Sequence, residues 1–305
     1  SPQATLAELD HHGNVAPWQA VARERGLLLR WLPLDPASGE LRLEQLSDII
    51  GPRTRLLAIG AASNLLGTMP DVTAAARMAR AAGALVFVDG VHYAPHSLPD
   101  VAALGADFFA CSAYKFYGPH VGVLWCRREI GAALDVPRLD PAPDTMPERL
   151  ETGTQNHEGI VGAAAALDWL ASLSGGGPLR AALELTYREL HCRSGELFAE
   201  LHHGLAAIEG VQVFGPPAGG RRTPTLSFAL RGHDPAAIAA ALAADGLFVS
   251  HGDFYAATAV NRIGHAGDGV VRIGLACYST RDEVDRVIDA VARIAAGATA
   301  AAPRP

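Results

Sequence analysis

Cysteine is scarce in this chain. There are four, Cys111, Cys126, Cys192 and Cys277, and none falls in CxxC spacing. That scatter fits neither a disulfide framework nor a cysteine-built metal centre. Three of the four lie in apolar runs and read as core thiols of a cytoplasmic protein. Charge is thin as well: Asp, Glu, Lys and Arg make up 19% of the residues against 49% hydrophobic, with a formal net charge of −7. No basic stretch and no strip of interleaved aromatic and basic residues occurs, which argues against nucleic acid as a partner. No apolar run reaches membrane-spanning length, and nothing at the start has the pattern of a signal peptide. Internal repeats are missing too. His11 and His12 are adjacent and His92 and His96 are spaced four apart. No cysteine or carboxylate cluster completes a ligand set around either pair, so no metal is expected. What the 305 residues do hold is apolar material for one large domain, or one with a smaller companion.

In the first half, helix-period and strand-like segments alternate. Val15 to Arg25, Leu43 to Ile50 and the Ala-rich Val72 to Ala82 have helical spacing. Leu27 to Leu32, Arg55 to Ala61, Ala84 to Asp89, Asp107 to Ser112 and Val121 to Cys126 are apolar without polar alternation. Such strands, separated by helices, predict a parallel sheet covered on both faces, an α/β architecture. Pro137 to Pro147 is proline-rich and irregular, and Gly159 to Ser172 returns to helix. Gly175-Gly176-Gly177-Pro178 marks a break. Beyond it come a long helix (Leu179 to His203), strands at Val211 to Phe214 and Thr225 to Leu230, and helices at Pro235 to Ala244 and Arg281 to Ala295. The expected division is a large domain over 1–174 and a smaller α+β domain over 175–305. The Ala/Pro-rich tail from Ala296 to Pro305 reads as frayed.

Chemistry concentrates at two strand ends. The run Ala84-Leu85-Val86-Phe87-Val88 closes on Asp89-Gly90, and Phe108-Phe109-Ala110-Cys111 closes on Ser112-Ala113-Tyr114-Lys115. In a parallel sheet both ends lie at the carboxyl edge, where ligands bind. A lysine among apolar walls can form a Schiff base with an aldehyde, and a carboxylate can hold a pyridinium nitrogen protonated. Those are the two groups that pyridoxal 5'-phosphate (PLP) requires of a protein.

Six segments in register carry a family likeness: Asp10 to Trp18, Ser63 to Thr68, Val88 to His92, Ser112 to Pro119, Glu151 to Asn156, and Val271 to Gly274. With them the chain resembles the cysteine desulfurase-like group of class V aminotransferases, PLP enzymes of fold-type I. The resemblance implies a mainly parallel central sheet with a smaller C-terminal α+β domain. It makes Lys115 the Schiff-base lysine and sets Asp89 on the pyridine nitrogen. His11 stacks on the ring face and counts with Lys115 as catalytic. Ser112 bonds the phosphate, Asn64 lies near the ring or the substrate carboxylate, and Arg272 clamps that carboxylate. Thr154 reaches the phosphate of a neighbouring subunit, because members are homodimers with shared active sites.

The chain departs from the family pattern in four places. His92 stands where Gln is usual beside the phenolic oxygen of PLP, and an imidazole can donate there too. Tyr114 replaces a phosphate-contacting His, and its hydroxyl can serve. The loop expected to be mobile and to bear a nucleophilic cysteine reads Ser250-His251-Gly252-Asp253-Phe254-Tyr255-Ala256, without cysteine and without the arginine often found before its glycine. Lastly, members carry roughly a further hundred residues before the His11 segment, including a helix N-terminus that cradles the phosphate. Sulfur transfer as persulfide needs a thiolate, and Cys277, read as lying in a rigid strand after Arg272, does not match the loop position. The expected activity is therefore a PLP-dependent lyase on a small amino acid, cleaving C–S or another β-bond. An aminotransferase or epimerase and a non-catalytic subunit of the same fold are the alternatives, and the retained Lys115 disfavours the last.

Overall fold

The computed structural model describes residues 1–297. Of the tail read as frayed, residues 298–305 lie outside the described part. Six strands form the central sheet in the order β2-β1-β5-β6-β7-β8. They are β1 (Gln3–Ala7), β2 (Leu28–Leu32), β5 (Thr54–Gly60), β6 (Leu85–Asp89), β7 (Phe108–Ser112) and β8 (Gly122–Cys126), with a small hairpin, β3 (Leu34–Asp35) and β4 (Glu40–Leu41), after β2. The first five sheet strands are mutually parallel. β8 runs antiparallel to β7, with Phe108 opposite Cys126 and Ser112 opposite Gly122. This corrects the parallel reading of that strand. The connection, residues 113–121, is shorter than the dozen or so residues a parallel crossover needs.

Helices α1 (Ala16–Arg25), α2 (Leu46–Ile49) and α3 (Val72–Ala81) fill the crossovers. Leu43 to Ile50 was read as one helix, but its first turn, Leu43–Gln45, is 3-10 and only α2 is α-helical. α3 starts where the Asp71 side chain accepts from Ala74 N at 2.9 Å. It buries Val72, Ala75, Ala76 and Ala79 against the sheet. Small alanines let this helix approach closely. The core beneath it, with Leu57, Ile59, Val86 and Val88 fully buried, holds the strand ends in register.

After β8 come α4 (Arg128–Ala133), α5 (His157–Ser172) and the long α6 (Leu179–Ala206). α6 serves two cores. Its first turns pack Ala182, Leu183 and Tyr187 on Ala94, Phe116 and Leu170. Its later turns pack Leu197, Leu201 and Leu205 on the second sheet. That sheet has four antiparallel strands in the order β11-β12-β10-β9: β9 (Val211–Phe214), β10 (Thr225–Leu230), β11 (Ser250–Gly252) and β12 (Val270–Gly274). α7 (Pro235–Ala244), α8 (Ala257–Arg262) and α9 (Arg281–Ala295) complete it, the last opened by a reciprocal Thr280–Glu283 capping box. Two expectations change here. Ser250–Gly252, read as part of a mobile loop, is strand β11. Cys277, read as part of a rigid strand, lies in a turn past the end of β12. Among the described residues no helix is long and apolar enough to cross a membrane.

Candidate active site

A cavity of about 560 Å³ opens at the carboxyl edge of the parallel strands, facing the second sheet. Each wall comes from a strand end. Period-two alternation buries Val86 and Val88 on one face of β6 and turns Phe87 and Asp89 to the other, where both line the cavity. Phe87 is held by Trp18, edge to face at 5.2 Å. Past the end of β1, Asp10 and His11 reach the same space, and past β5 comes Asn64. β7 delivers Ser112, and the 3-10 turn Ala113–Phe116 that follows presents Tyr114 and Lys115. Arg272, from β12, closes the far side.

The structure thus brings Lys115, Asp89, His11, His92, Ser112, Tyr114, Asn64 and Arg272 to one cavity. Thr154 does not line it; that residue is exposed in the irregular stretch before α5. Cys277 does not line it either. Among the described residues there is no cluster of His, Cys, Asp or Glu that could hold a metal ion.

Burial sets the ionisation of the group. Asp89 is pushed above the usual carboxylate range by desolvation, against the pull of a hydrogen bond from Val91 N and of the nearby His11 and Lys115. Desolvation and then Arg272 lower the Lys115 ammonium, while Asp89 works the other way. His11 and His92 are both lowered, chiefly by burial, so both imidazoles are neutral near pH 7. His92 Nε2 sits 3.1 Å from Thr223 Oγ1 and 3.0 Å from Thr225 Oγ1. Asp10, fully buried, rises to about 8 through desolvation, although Gly60 N and Asn14 Nδ2 both donate to it.

Three observations bear on whether PLP suits these residues. An amine with a lowered pKa and a carboxylate with a raised one face a single cavity. An imidazole held neutral lines the same space. Asn64 Oδ1 is buried without a hydrogen-bond partner, a polar atom waiting for a donor. The residues fit the group. Asn64 differs in detail from expectation: its Nδ2 already donates to Phe254 O at 2.9 Å, so the free atom is an acceptor and suits an N–H or O–H rather than a carboxylate. Arg272 Nη1 donates to Asn64 O at 2.9 Å, and its guanidinium lies 4.1 Å over the Phe254 ring.

Sequence reading passed over two features. Lys115 is the only lysine among the 25 Lys and Arg residues of the chain. A lysine kept where arginine serves everywhere else is a signal in composition alone, because only lysine offers a titratable amine. Phe254 was the other omission. Nothing in its local pattern separates it from a loop aromatic, and only the fold brings it under Arg272.

The aminotransferase class-V family model matches residues 3–287. A probable cysteine desulfurase of Pseudomonas putida is 35% identical over 301 residues, spanning 95% of this chain and 70% of that protein. A cysteine desulfurase of Dickeya dadantii is 32% identical over 302 residues, with 95% and 69% covered. Among solved structures, the cysteine desulfurase CsdA from Escherichia coli superposes with a TM-score of 0.85 at 30% identity, covering 96% of this chain and 72% of that one. These likenesses bear out the fold-type I architecture expected from the motifs.

Proposed function

This chain belongs to the aminotransferase class-V family, whose enzymes are PLP-dependent, and from that premise we propose that it is a cysteine desulfurase-like lyase that removes a β-substituent from a small amino acid without a protein thiol. The single observation that carries the reading is the convergence of Lys115, Asp89 and Arg272 on one cavity whose bordering segment, Ser250 to Ala256, holds no cysteine.

PLP, when bound, supplies an aldehyde that captures amines and a ring that draws electrons from the adjacent carbon. The other roles belong to the protein. Lys115 would hold the cofactor until the substrate's amine displaces it, and its freed amine, lowered by burial and Arg272, would take the proton from the substrate α-carbon. Asp89 would pair with the ring nitrogen, where a carboxylate of raised pKa shares a proton readily. His11 would cover the ring face, and His92 would donate to the phenolic oxygen. Ser112 and Tyr114 serve the phosphate, with Thr154 offered to a partner subunit. Arg272 orients the substrate carboxylate with a guanidinium stiffened by its stack on Phe254. Asn64 Oδ1 accepts from the substrate or cofactor.

The working unit is a homodimer. Val123 and Leu124 on edge strand β8 and Ile160 and Val161 on α5 are exposed apolar side chains that a second copy would cover. The chain divides into a large unit over 1–174 and a smaller one over 175–305; the cluster of Leu197, Phe228 and Val287 supports the smaller unit, while Phe214, Ala256 and Val270 pack into the core of the larger. A cytoplasmic setting agrees with four unpaired thiols.

Product analysis tests the reaction. With PLP and L-cysteine, elimination gives pyruvate, ammonia and sulfide in equal amounts, water being consumed. Alanine with a persulfide on the protein would contradict the reading, as would amination of an added keto acid.

A further inference from the structure

Phe254 and Tyr255 both have φ of 55°, left-handed backbone that L-residues avoid. Each such residue costs about 1–2 kcal/mol. A turn that only closed the chain would carry Gly or Asn here. This pair is held instead from several sides. Asn64 Nδ2 donates to Phe254 O at 2.9 Å, His12 N donates to Tyr255 O at 2.7 Å, and Tyr255 N donates to Asp253 Oδ1 at 2.9 Å. The Arg272 guanidinium stacks on Phe254, and Ala256 is fully buried. The outcome is a side chain that stays 73% exposed yet lines the cavity, its ring centroid 5.6 Å from that of His11. The loop's strain is spent on presenting Tyr255.

Charge narrows what that side chain meets. Among the described residues the cavity is lined by two Lys or Arg side chains, Lys115 and Arg272. With Lys115 first holding the cofactor and then serving the α-proton, one guanidinium remains for one carboxylate. The loop adds no Lys or Arg, and its His251 does not line the cavity; its Asp253 turns back on Tyr255 N. A second carboxylate on the substrate would meet no Lys or Arg among the described residues of this chain beyond these two.

We propose that Tyr255 is the specificity-determining residue of this cavity, selecting monocarboxylic amino acids with a compact, neutral, polar β-substituent of the hydroxyl or thiol class. Its ring limits the size of the substituent and its phenol hydrogen-bonds to it. The inference rests on the PLP reading above, and its test separates the two.

Absorbance titration of the PLP-loaded protein with L-serine, L-alanine, L-leucine and L-aspartate, read immediately after mixing, reports binding ahead of any elimination. Wild type binds L-serine best and L-aspartate worst. Tyr255→Phe keeps the ring and lowers L-serine affinity roughly fivefold, the worth of one net hydrogen bond, with L-alanine unchanged. Tyr255→Ala raises L-leucine affinity above the wild-type value. If wild type responds but both variants keep its order of preference, or if wild type takes L-aspartate as well as L-serine, the inference about Tyr255 is overturned and the PLP reading stands. A wild-type spectrum that responds to no amino acid overturns both.

Discussion

In the cavity wall, Asp10 illustrates what burial does to a single residue. Its carboxyl is fully enclosed and rises to about 8, with desolvation outweighing the bonds from Gly60 N and Asn14 Nδ2. An aspartate in the unfolded chain sits near its ordinary 3.8. Between those two values the unfolded chain carries fewer protons at this site than the folded one, so raising the pH costs stability. The contribution is whole below about pH 4 and is lost as pH rises through about 8. His96 behaves in the opposite sense. Burial lowers it to about 4 from 6.5, so its contribution is whole above pH 6.5 and is lost as pH falls through about 4. Below pH 6.5 the two slopes oppose each other, and from pH 6.5 to 8 Asp10 acts without that opposition. Urea unfolding of Asp10→Asn across pH 6.5 to 8 is therefore expected to lose a downward slope that wild type shows, up to about 1.4 kcal/mol per pH unit. Equal slopes for the two proteins would contradict the assignment.

At the scale of elements, the site depends on how strand ends are held apart. Gly90 follows Asp89 and donates its N–H to Ala110 O at 2.8 Å, tying the end of β6 to β7. A Cβ at this position would come within 1.9 Å of the Phe109 ring, which is buried in the core. Gly90→Ala is expected to cost about 2 kcal/mol by overpacking, read by chemical denaturation. Adding Phe109→Leu is expected to return part of that loss, a coupling between neighbours that two independent sites would not show. The strands flanking this glycine were legible in sequence because both faces are covered and their residues are apolar throughout. Lys115 and Asp89 were legible for the same reason: each sits at the end of such a run. The direction of β8 was not, since its residues look the same either way and only the length of 113–121 decides. Tyr255 stood out in sequence only as one residue of the Ser250 to Ala256 segment. Its presentation depends on Asn64 and His12, far away in sequence, and on a backbone conformation that no local pattern announces for an aromatic residue.

For the whole molecule, two sheets meet at one cavity. The parallel sheet supplies the amine and the acid, and the antiparallel sheet supplies the arginine and the loop. α6 packs on both cores and α8 is fastened to the end of β1 by Arg262 Nε donating to Glu8 Oε2 at 2.8 Å, so the two sides are set relative to each other before any ligand arrives. The central claim is that this shared cavity holds PLP through Lys115. One lysine in the chain makes the claim unusually direct to test. Borohydride reduction of the PLP-loaded protein, followed by peptide mass spectrometry, is expected to place one reduced pyridoxyl group on the peptide bearing Lys115 and none on Lys115→Ala protein. A reduced adduct that persists in Lys115→Ala, or wild-type protein that takes up PLP with no adduct at Lys115, would contradict it.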